Sequence, residues 1–283
     1  MPMYPALEAA WAKFNKASRD LGVLHANAKR FHERGPYRLL VEMDDHGWHV
    51  IRMQLREEPP PVFGVLVGSV AHQAYSALNH VAWELAVRNL GEEEASKGSV
   101  RSRIEFPICD KRKEFLKRDV LGFLLPEAVT KFEELQPFHM PRGKHGKIQH
   151  PLMLMKELAD ADKHRVLPTT YGSMDLAKAS VEWDSSATLP TFRHLLSKTE
   201  RHTRDGTAIA RVRFANGNAT ANVRVPEQPK LDLVFESDTW AGLSLFSVGD
   251  CLAAAGRCIS ELATLFGEQT WPVNHDPHSP YEW

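Results

Sequence analysis

Residues 61 to 90, PVFGVLVGSVAHQAYSALNHVAWELAVRNL, form the longest strongly helical apolar segment of the chain. Apolar side chains recur at three- and four-residue steps around most of its circumference, which is typical of a helix surrounded by other elements. Pro61 suits the first turn of a helix, and Gly91 suits the residue just after its end. We therefore predict that this segment is the central helix of the core.

The same segment carries a line of polar residues at four-residue steps: His72, Ser76, His80, Glu84 and Arg88. Four-residue steps drift by about 40° on a helix with 3.6 residues per turn, yet His80 and Glu84 are i,i+4 neighbours. A histidine oriented by a carboxylate is a common arrangement for a general base or a metal ligand. The alternative is that the line is merely the less apolar side of a core helix, with Glu84 and Arg88 in an exposed ion pair.

Before residue 166 the periodicity predicts mainly helices, with one hairpin whose Gly-containing turn lies at residues 44–47. The charged segment from Glu92 to Arg103 is predicted to be a surface loop. The predicted helices are Ala6 to about Phe31, Pro126 to Leu135 and Pro151 to about His164, and the predicted hairpin strands are Tyr37–Met43 and Trp48–Leu55.

After residue 166 the period changes to that of strands, with an Asn-Gly turn at residues 216–217. The predicted strands are Leu176–Trp183, Ile209–Phe214, Ala219–Val225 and Leu231–Glu236, while Thr188–Asp205 fits no element clearly. This order predicts an α+β fold: a helical bundle around the central helix, 61–90, combined with an antiparallel β-sheet that the early hairpin joins. We expect one compact unit over 1–283, made of a helical part (1–165, with the 37–57 hairpin), a β-rich part (166–237), a closing helix (240–266) that returns to the bundle, and a tail (268–283).

Composition limits the functional classes. The 283 residues carry a formal net charge of −1, so no global basic field indicates nucleic acid, and any anion site must be local. Three cysteines without a CxxC spacing favour a reducing compartment. We see no signal peptide and no run long enough to span a bilayer, and we expect a cytoplasmic protein that does not bind membranes.

Several common motifs are absent from the sequence: GxxxxGK[ST], GxGxxG, GxSxG and HExxH. This disfavours the commonest nucleotide hydrolases, dinucleotide enzymes, serine hydrolases and zinc proteases. His275 and His278 lie in a proline-rich tail that offers no rigid scaffold for a metal. We predict no cofactor and no metal site, and the sequence leaves homo-oligomer formation open.

A second polar cluster lies near residue 164, where a predicted helix ends. Asp160 and His164 are i,i+4 neighbours, and Lys163, His164 and Arg165 either complement the helix dipole or form an anion site. In the anion site, Arg165 would hold phosphate and His164 would act as acid or base. The loop from 139 to 150 adds Arg142 and Lys144, although a solvated surface loop explains these as well.

Four stretches resemble a broad group of uncharacterised bacterial and phage proteins with a pattern like ALDH, FPI, QPY and DKHR. They are SALNHVAWELA (76–86), FPI (106–108), QPF (136–138) and HPLMLMKELADADKHRVLP (150–168). The helical part also resembles HEPN-type bundles, which bind nucleotides or cleave RNA. Their signature begins with an arginine and ends with a histidine; the matching positions here are Tyr75 and His80, so the arginine is replaced.

The resemblance implies a module that binds RNA or another phosphate-bearing ligand, with His80 facing the cluster near residue 164 across a cleft. The alternative hypothesis is a non-catalytic structural or protein-interaction protein whose polar residues form internal hydrogen-bond networks. The candidate catalytic residues are His80 and His164, and the candidate binding residues are Asn79, Glu84, Asp160, Lys163, Arg165, Arg142 and Lys144.

Overall fold

The computed structural model of the chain describes residues 5–140, 150–162, 169–171, 182–183, 191–194, 205–214, 223–224, 233–235 and 243–267. Long helices dominate the first part and short strands the second, so the predicted α+β class is confirmed. The helices are α1 (Pro5–Glu33), α2 (Val62–Leu90), α3 (Glu92–Ala95), α4 (Gly98–Arg101), α5 (Arg112–Phe115), α6 (Pro126–Glu134), α7 (Pro151–Asp162) and α8 (Leu245–Ala263). Three 3₁₀ turns, Asp119–Phe123, Pro137–His139 and Thr264–Phe266, complete the described helical part.

The described strands pair in three antiparallel sheets. The strands are β1 (Tyr37–Met43), β2 (His49–Leu55), β3 (Thr169–Tyr171), β4 (Glu182–Trp183), β5 (Thr191–His194), β6 (Ala208–Arg213), β7 (Val223–Arg224), β8 (Leu233–Phe235) and β9 (Leu243–Ser244). The largest sheet has the order β1-β2-β6-β5, the second β3-β8-β9, and the third contains only β4 and β7.

The chain divides into two compact units, each built from separate stretches of sequence. Unit 1 comprises Met1–His25, Val65–Leu167 and Phe246–Trp283, and unit 2 comprises Ala26–Gly64 and Pro168–Leu245. Unit 1 holds most of α2 and the helices that follow it, and unit 2 holds the hairpin and the described strands. The expectation of a single unit over 1–283 stays a prediction.

The core of unit 1 forms around α2, as its apolar circumference predicts. Its side chains Val67, Leu78 and Val81 are inaccessible to solvent. A polar contact joins it to α1, because the Ser69 hydroxyl donates a 2.6 Å hydrogen bond to the buried carboxylate of Asp20, which also pairs with Lys16. At its other end, the Arg88 guanidinium donates to the Leu265 carbonyl just after α8.

Helix α7 approaches α2 closely at Gly68. A Cβ atom placed on Gly68 would lie 2.9 Å from the Cβ of Asp162, and closer still to the carboxylate carbon and Oδ1 of that residue. Non-bonded carbon atoms normally remain about 3.5 Å or more apart, so any side chain at position 68 would push the end of α7 away. Glycine is required here for space.

We predict that Gly68→Ala destabilises unit 1 by about 1–3 kcal/mol, the usual cost of inserting a methyl group into a filled site. This effect opposes the gain of about 1 kcal/mol that alanine brings inside a helix. Urea unfolding followed by circular dichroism measures the difference. The double variant Gly68→Ala/Asp162→Ala should recover most of the loss, whereas a single variant more stable than the wild type would refute the close approach.

Unit 2 contains the predicted hairpin, and this hairpin joins a later strand as expected. β1 and β2 pair from Tyr37 with Leu55 to Met43 with His49. β2 then pairs with β6, for example Ile51 with Ala210, with an irregularity after Ile51. Ile51, Ala210 and Val212 are fully buried, so the hydrophobic side of this sheet is shielded from solvent.

Some predicted boundaries are wrong. The closing helix begins at Leu245 and not at residue 240, because Leu243–Ser244 pairs with β8 as a strand. Glu92–Arg103 is not simply a loop, since it contains the single-turn helices α3 and α4. β5 lies in the segment that the sequence left unassigned, and β3 was not predicted. The predicted strand Ile209–Phe214 is found as β6, shifted by one residue. Of the predicted strands Leu176–Trp183, Ala219–Val225 and Leu231–Glu236 the structure describes only short pieces, and the tail (268–283) lies outside the described residues.

Within the described part of the chain, none of the helices has both the length and the apolar character that crossing a membrane requires.

Candidate functional site

The segment Phe106–Cys109, which contains the FPI motif, is held in unit 1 by side-chain amides from two other motifs. Asn79, on α2, accepts a 2.9 Å hydrogen bond from the Phe106 backbone N–H. Gln136, from the QPF motif, accepts a 3.0 Å hydrogen bond from the Cys109 N–H. Three stretches that were recognised separately in the sequence therefore meet at one extended segment.

Gln136 uses both ends of its amide in this contact. Its nitrogen donates to the carbonyl oxygens of Pro107 (2.8 Å) and Phe132 (3.0 Å), and only 2% of the residue is exposed. An extended segment has no internal backbone hydrogen bonds, so its buried polar groups need such partners. The contact between the Phe106 and Phe132 rings, 4.9 Å between centroids, packs the same segment against α6.

Next to this segment, unit 1 has a recess of about 240 Å³. Tyr75 from α2 and Lys156 from α7 contribute to it, together with residues on either side of the held segment. Its described lining consists of Tyr75, Arg103, Glu105, Phe106, Pro107, Ile108, Lys117, Arg118, Asp119, Val120 and Lys156. Two of the four resembling stretches, 106–108 and 150–168, supply lining residues. The other two supply Asn79 and Gln136, which hold the segment that forms one wall.

The recess is basic, with four cationic side chains and two carboxylates. Arg103 lies 3.7 Å from the Asp119 carboxylate, so these two charges largely satisfy each other. Lys117 and Lys156 form no ion pair with any other residue that the structure describes. Arg118 interacts electrostatically with Glu105 and lies beside the Cys109 thiol. After internal pairing, three cations remain to face one carboxylate, so the recess is locally positive in a protein of nearly zero net charge.

Tyr75 closes the recess at α2. Its phenol donates a short hydrogen bond to Glu105 Oε1, and only 5% of the residue is exposed. Burial, followed by the contact with Glu105 and the charge of Asp160, raises the pKa of Tyr75 well above its usual range. The phenol therefore keeps its proton, and it acts here as a hydrogen-bond donor.

His80 lies on a different side of α2. It follows Tyr75 by five positions, which corresponds to a rotation of about 140° around the helix axis. Its pKa is lowered by burial and, to a smaller extent, by the charge of Lys13 on α1. The imidazole is thus neutral near pH 7, as a general base requires, but His80 is not among the described residues that line the recess.

Glu84 and Arg88 do not form the ion pair that their spacing allows. The Arg88 guanidinium donates to the Leu265 carbonyl and lies 5.7 Å from the centroid of the Phe266 ring. Among described residues, no cation pairs with Glu84. Its pKa is raised by burial and then by the nearby charge of Glu92, so the folded protein holds an unfavourable carboxylate at neutral pH.

We predict that Glu84→Gln stabilises the protein at pH 7 and has little effect near pH 4. The pKa of Glu84 in the folded state exceeds its ordinary value of 4.5. Ionisation of Glu84 therefore lowers the free energy of unfolding at neutral pH, and this loss of stability disappears as the pH falls below 4.5. Urea unfolding at both pH values tests this, with the exposed Glu93→Gln as control. An equal effect of Glu84→Gln at the two pH values would contradict the raised pKa.

The structure describes part of the second predicted cluster. Asp160 lies on α7 close enough to Tyr75 to affect its pKa, and Asp162 lies against Gly68. Gly68 precedes His80 by twelve residues, so the contact between Asp162 and α2 lies about 18 Å along the helix from His80. The other predicted residues of this cluster and its loop, Lys163, His164, Arg165, Arg142 and Lys144, lie outside the described residues, so the pairing of His80 with His164 stays a prediction.

A larger recess of about 510 Å³ lies near α8, lined in part by His139, His150, Arg257 and Glu261. Its charges are internally compensated, since the Lys131 ammonium pairs with Glu134 at 3.0 Å and with Glu261 at 3.3 Å. Burial and the charge of Arg257 lower the pKa of His150. Because its positive and negative side chains balance, this recess is a weaker candidate for an anion than the recess at Tyr75.

Most residues of the basic recess were not candidates in the sequence. Tyr75 fits the apolar face of α2, and Arg103, Glu105, Lys117 and Arg118 lie in segments without a period. Lys156 and the FPI residues 106–108 belong to the resembling stretches, and these stretches are the signal that pointed to this place. Within the described ranges, no three His, Cys, Asp or Glu side chains come together as metal ligands would.

Comparison of the chain with family models, with curated proteins and with solved structures found no match.

Proposed function

We propose that this protein is a HEPN-like module that binds RNA or a nucleotide through phosphate, and that the basic recess at Tyr75 is its binding site. The observation that carries the proposal is the set of cations Lys117, Arg118 and Lys156, which converge on one recess and are not neutralised there by an equal number of carboxylates. Arginine and lysine are the usual side-chain partners of phosphate in proteins.

The resembling stretches support the same location. Asn79 and Gln136 hold the segment that forms one wall of the recess, and Lys156 comes from the stretch that ends in DKHR. In this proposal Asn79 is a positioning residue. Burial of the three free thiols, Cys109, Cys251 and Cys258, fits a protein of the reducing cytoplasm of a bacterium, where phage proteins also act.

Ribonuclease activity is a separate part of the proposal and depends on His80. Its neutral imidazole suits a general base, whereas the HEPN arginine position is occupied by Tyr75, whose phenol is bound to Glu105. We therefore propose a module whose binding function does not require cleavage, with His80 as the candidate catalyst if cleavage occurs.

Equilibrium binding tests the proposal. Fluorescence anisotropy with a labelled single-stranded RNA and with a labelled adenine nucleotide should show saturable binding that weakens as salt increases. Arg118→Ala should weaken it, and the exposed Arg101→Ala should not. An RNA-cleavage assay with the wild type and His80→Ala tests the catalytic part, because cleavage that survives the substitution would exclude His80 as the catalyst.

A second candidate function is a non-catalytic structural or interaction protein, and one observation favours it. The two side-chain amides of the resembling stretches, those of Asn79 and Gln136, bond to the protein's own backbone. If neither RNA nor nucleotide binds in a manner that depends on Arg118, this second function is the better account.

A further inference from the structure

The basic recess offers its ligand two chemically different contacts. Lys117, Arg118 and Lys156 supply positive charge, and Glu105 supplies a carboxylate in the same lining. The Tyr75 phenol occupies Glu105 Oε1. No hydrogen bond from a described residue reaches Glu105 Oε2. An ionised carboxylate oxygen accepts hydrogen bonds and does not donate them. A ligand that carries an anion and also a neutral hydrogen-bond donor would use both kinds of contact.

The size of the recess restricts the ligand further. Pockets for drug-sized ligands typically measure about 300–1,000 Å³, and this recess measures about 240 Å³. A phosphate with its sugar suits such a space, whereas several consecutive nucleotides do not. The site should therefore hold one end of a nucleic acid chain or one small nucleotide.

The charge of the recess distinguishes a terminal phosphate from an internal one. A phosphomonoester carries about −1.5 to −2 charges near pH 7, whereas each phosphate inside a strand carries one. With Arg103 engaged by Asp119, three cations face the single carboxylate of Glu105. The remaining positive charge matches the doubly charged terminal group better than an internal one.

The chemistry of these groups, which line one recess, suits a ribose phosphate. In such a ligand the hydroxyl groups of the sugar lie a few bonds from the phosphate, so they are near enough to reach a carboxylate beside the phosphate-binding cations. Carboxylates are used in this way to bind ribose hydroxyls in dinucleotide-binding folds. We propose that the recess recognises a terminal ribose phosphomonoester, with Lys117, Arg118 and Lys156 on the phosphate and Glu105 on a sugar hydroxyl; this inference rests on the proposed function.

Two ligands share this chemistry, a free mononucleotide and the phosphorylated end of an RNA. The test uses a short RNA labelled at its 3′ end, prepared with either a 5′-phosphate or a 5′-hydroxyl, together with adenosine 5′-monophosphate and adenosine as competitors. We expect the 5′-phosphorylated RNA to bind at least tenfold more tightly, and the monophosphate but not adenosine to displace it. If the RNA binds more than tenfold tighter than the monophosphate, the source is an RNA end; comparable affinities indicate a free nucleotide.

Variants separate this inference from the proposed function. Lys117→Ala/Lys156→Ala should abolish the preference for the 5′-phosphate, and the exposed Lys113→Ala should preserve it. Glu105→Gln should reduce the advantage of ribose 5-phosphate over inorganic phosphate, since the amide is a weaker acceptor than the carboxylate. Equal affinity for the two RNA forms, with both weakened in the double variant, would overturn this inference and leave the proposed function intact. Binding that is independent of Lys117 and Lys156 would overturn both.

Discussion

Replacing Gln136 by alanine should lower the free energy of unfolding by about 3 kcal/mol, since each buried backbone group left unpaired costs about 1–3 kcal/mol. Gln136 is buried and satisfies the Cys109 N–H and the carbonyl oxygens of Pro107 and Phe132. The substitution would leave these groups without their partner and would also create a small cavity. Chemical unfolding measures the loss, with Gln73→Ala on α2 as a control of the same residue type.

A second substitution at this position tests the hydrogen bonds separately from the cavity. In Gln136→Glu the carboxylate keeps an acceptor for the Cys109 N–H but turns an oxygen toward two carbonyl oxygens. The pKa of such a carboxyl should be raised, because only the protonated form can donate. The variant should therefore be destabilised near pH 7 and should recover part of its stability as the pH falls. A stability loss that does not vary with pH would contradict this account of the contact.

Removing two cations from the recess should weaken nucleotide binding by about 100-fold, because a hydrogen bond to a charged group contributes about 1.5 kcal/mol or more. The variant is Lys117→Ala/Lys156→Ala. Both residues line the recess, and neither pairs with a carboxylate in the described part of the chain. Their removal should therefore cost binding without breaking an internal ion pair, and the thermal stability of the variant should remain close to that of the wild type.

Salt dependence gives the same prediction an independent readout. For single-stranded RNA, each phosphate that is no longer neutralised lowers the magnitude of the slope of log K against log salt by about 0.7, and Lys117 and Lys156 share one phosphate, so their removal should lower it by about that amount. The control is Lys113→Ala/Lys29→Ala, which removes two exposed lysines outside the recess. If the control weakened binding as much as the recess variant, the cations would act through general charge and not as a site.

Local periodicity is enough to predict the elements that carry the fold. The apolar circumference of residues 61–90 located α2, and the polar turn with Gly47 located the hairpin, because both signals are contained within a few neighbouring residues. The short strands of unit 2 were harder to predict. β3 and β5, with three and four residues, are shorter than the stretch over which an alternating pattern can be recognised, and they depend on pairing with distant partners.

The candidate site was harder to predict because it depends on side chains from segments that have no period. The sequence analysis assigned Asn79 and His80 to the same candidate site, although the side chains of adjacent residues on a helix point about 100° apart. Asn79 faces the segment that carries Phe106, and His80 lies on the side of α2 that is affected by Lys13. The basic residues Lys117 and Arg118 looked like ordinary surface charges, because only the tertiary structure brings them to Tyr75 and Lys156.

Lysine modification in the presence of a nucleotide tests the central claim most directly, since it reports where the ligand lies. The protein would be acetylated briefly with and without saturating adenosine 5′-monophosphate, and the rate at each lysine would be measured by mass spectrometry. We predict protection of Lys117 and Lys156, which line the recess, and unchanged rates at Lys113 and Lys29. Protection confined to lysines outside the recess, or unchanged rates at Lys117 and Lys156 while the nucleotide is bound, would contradict the assignment of this recess as the phosphate site.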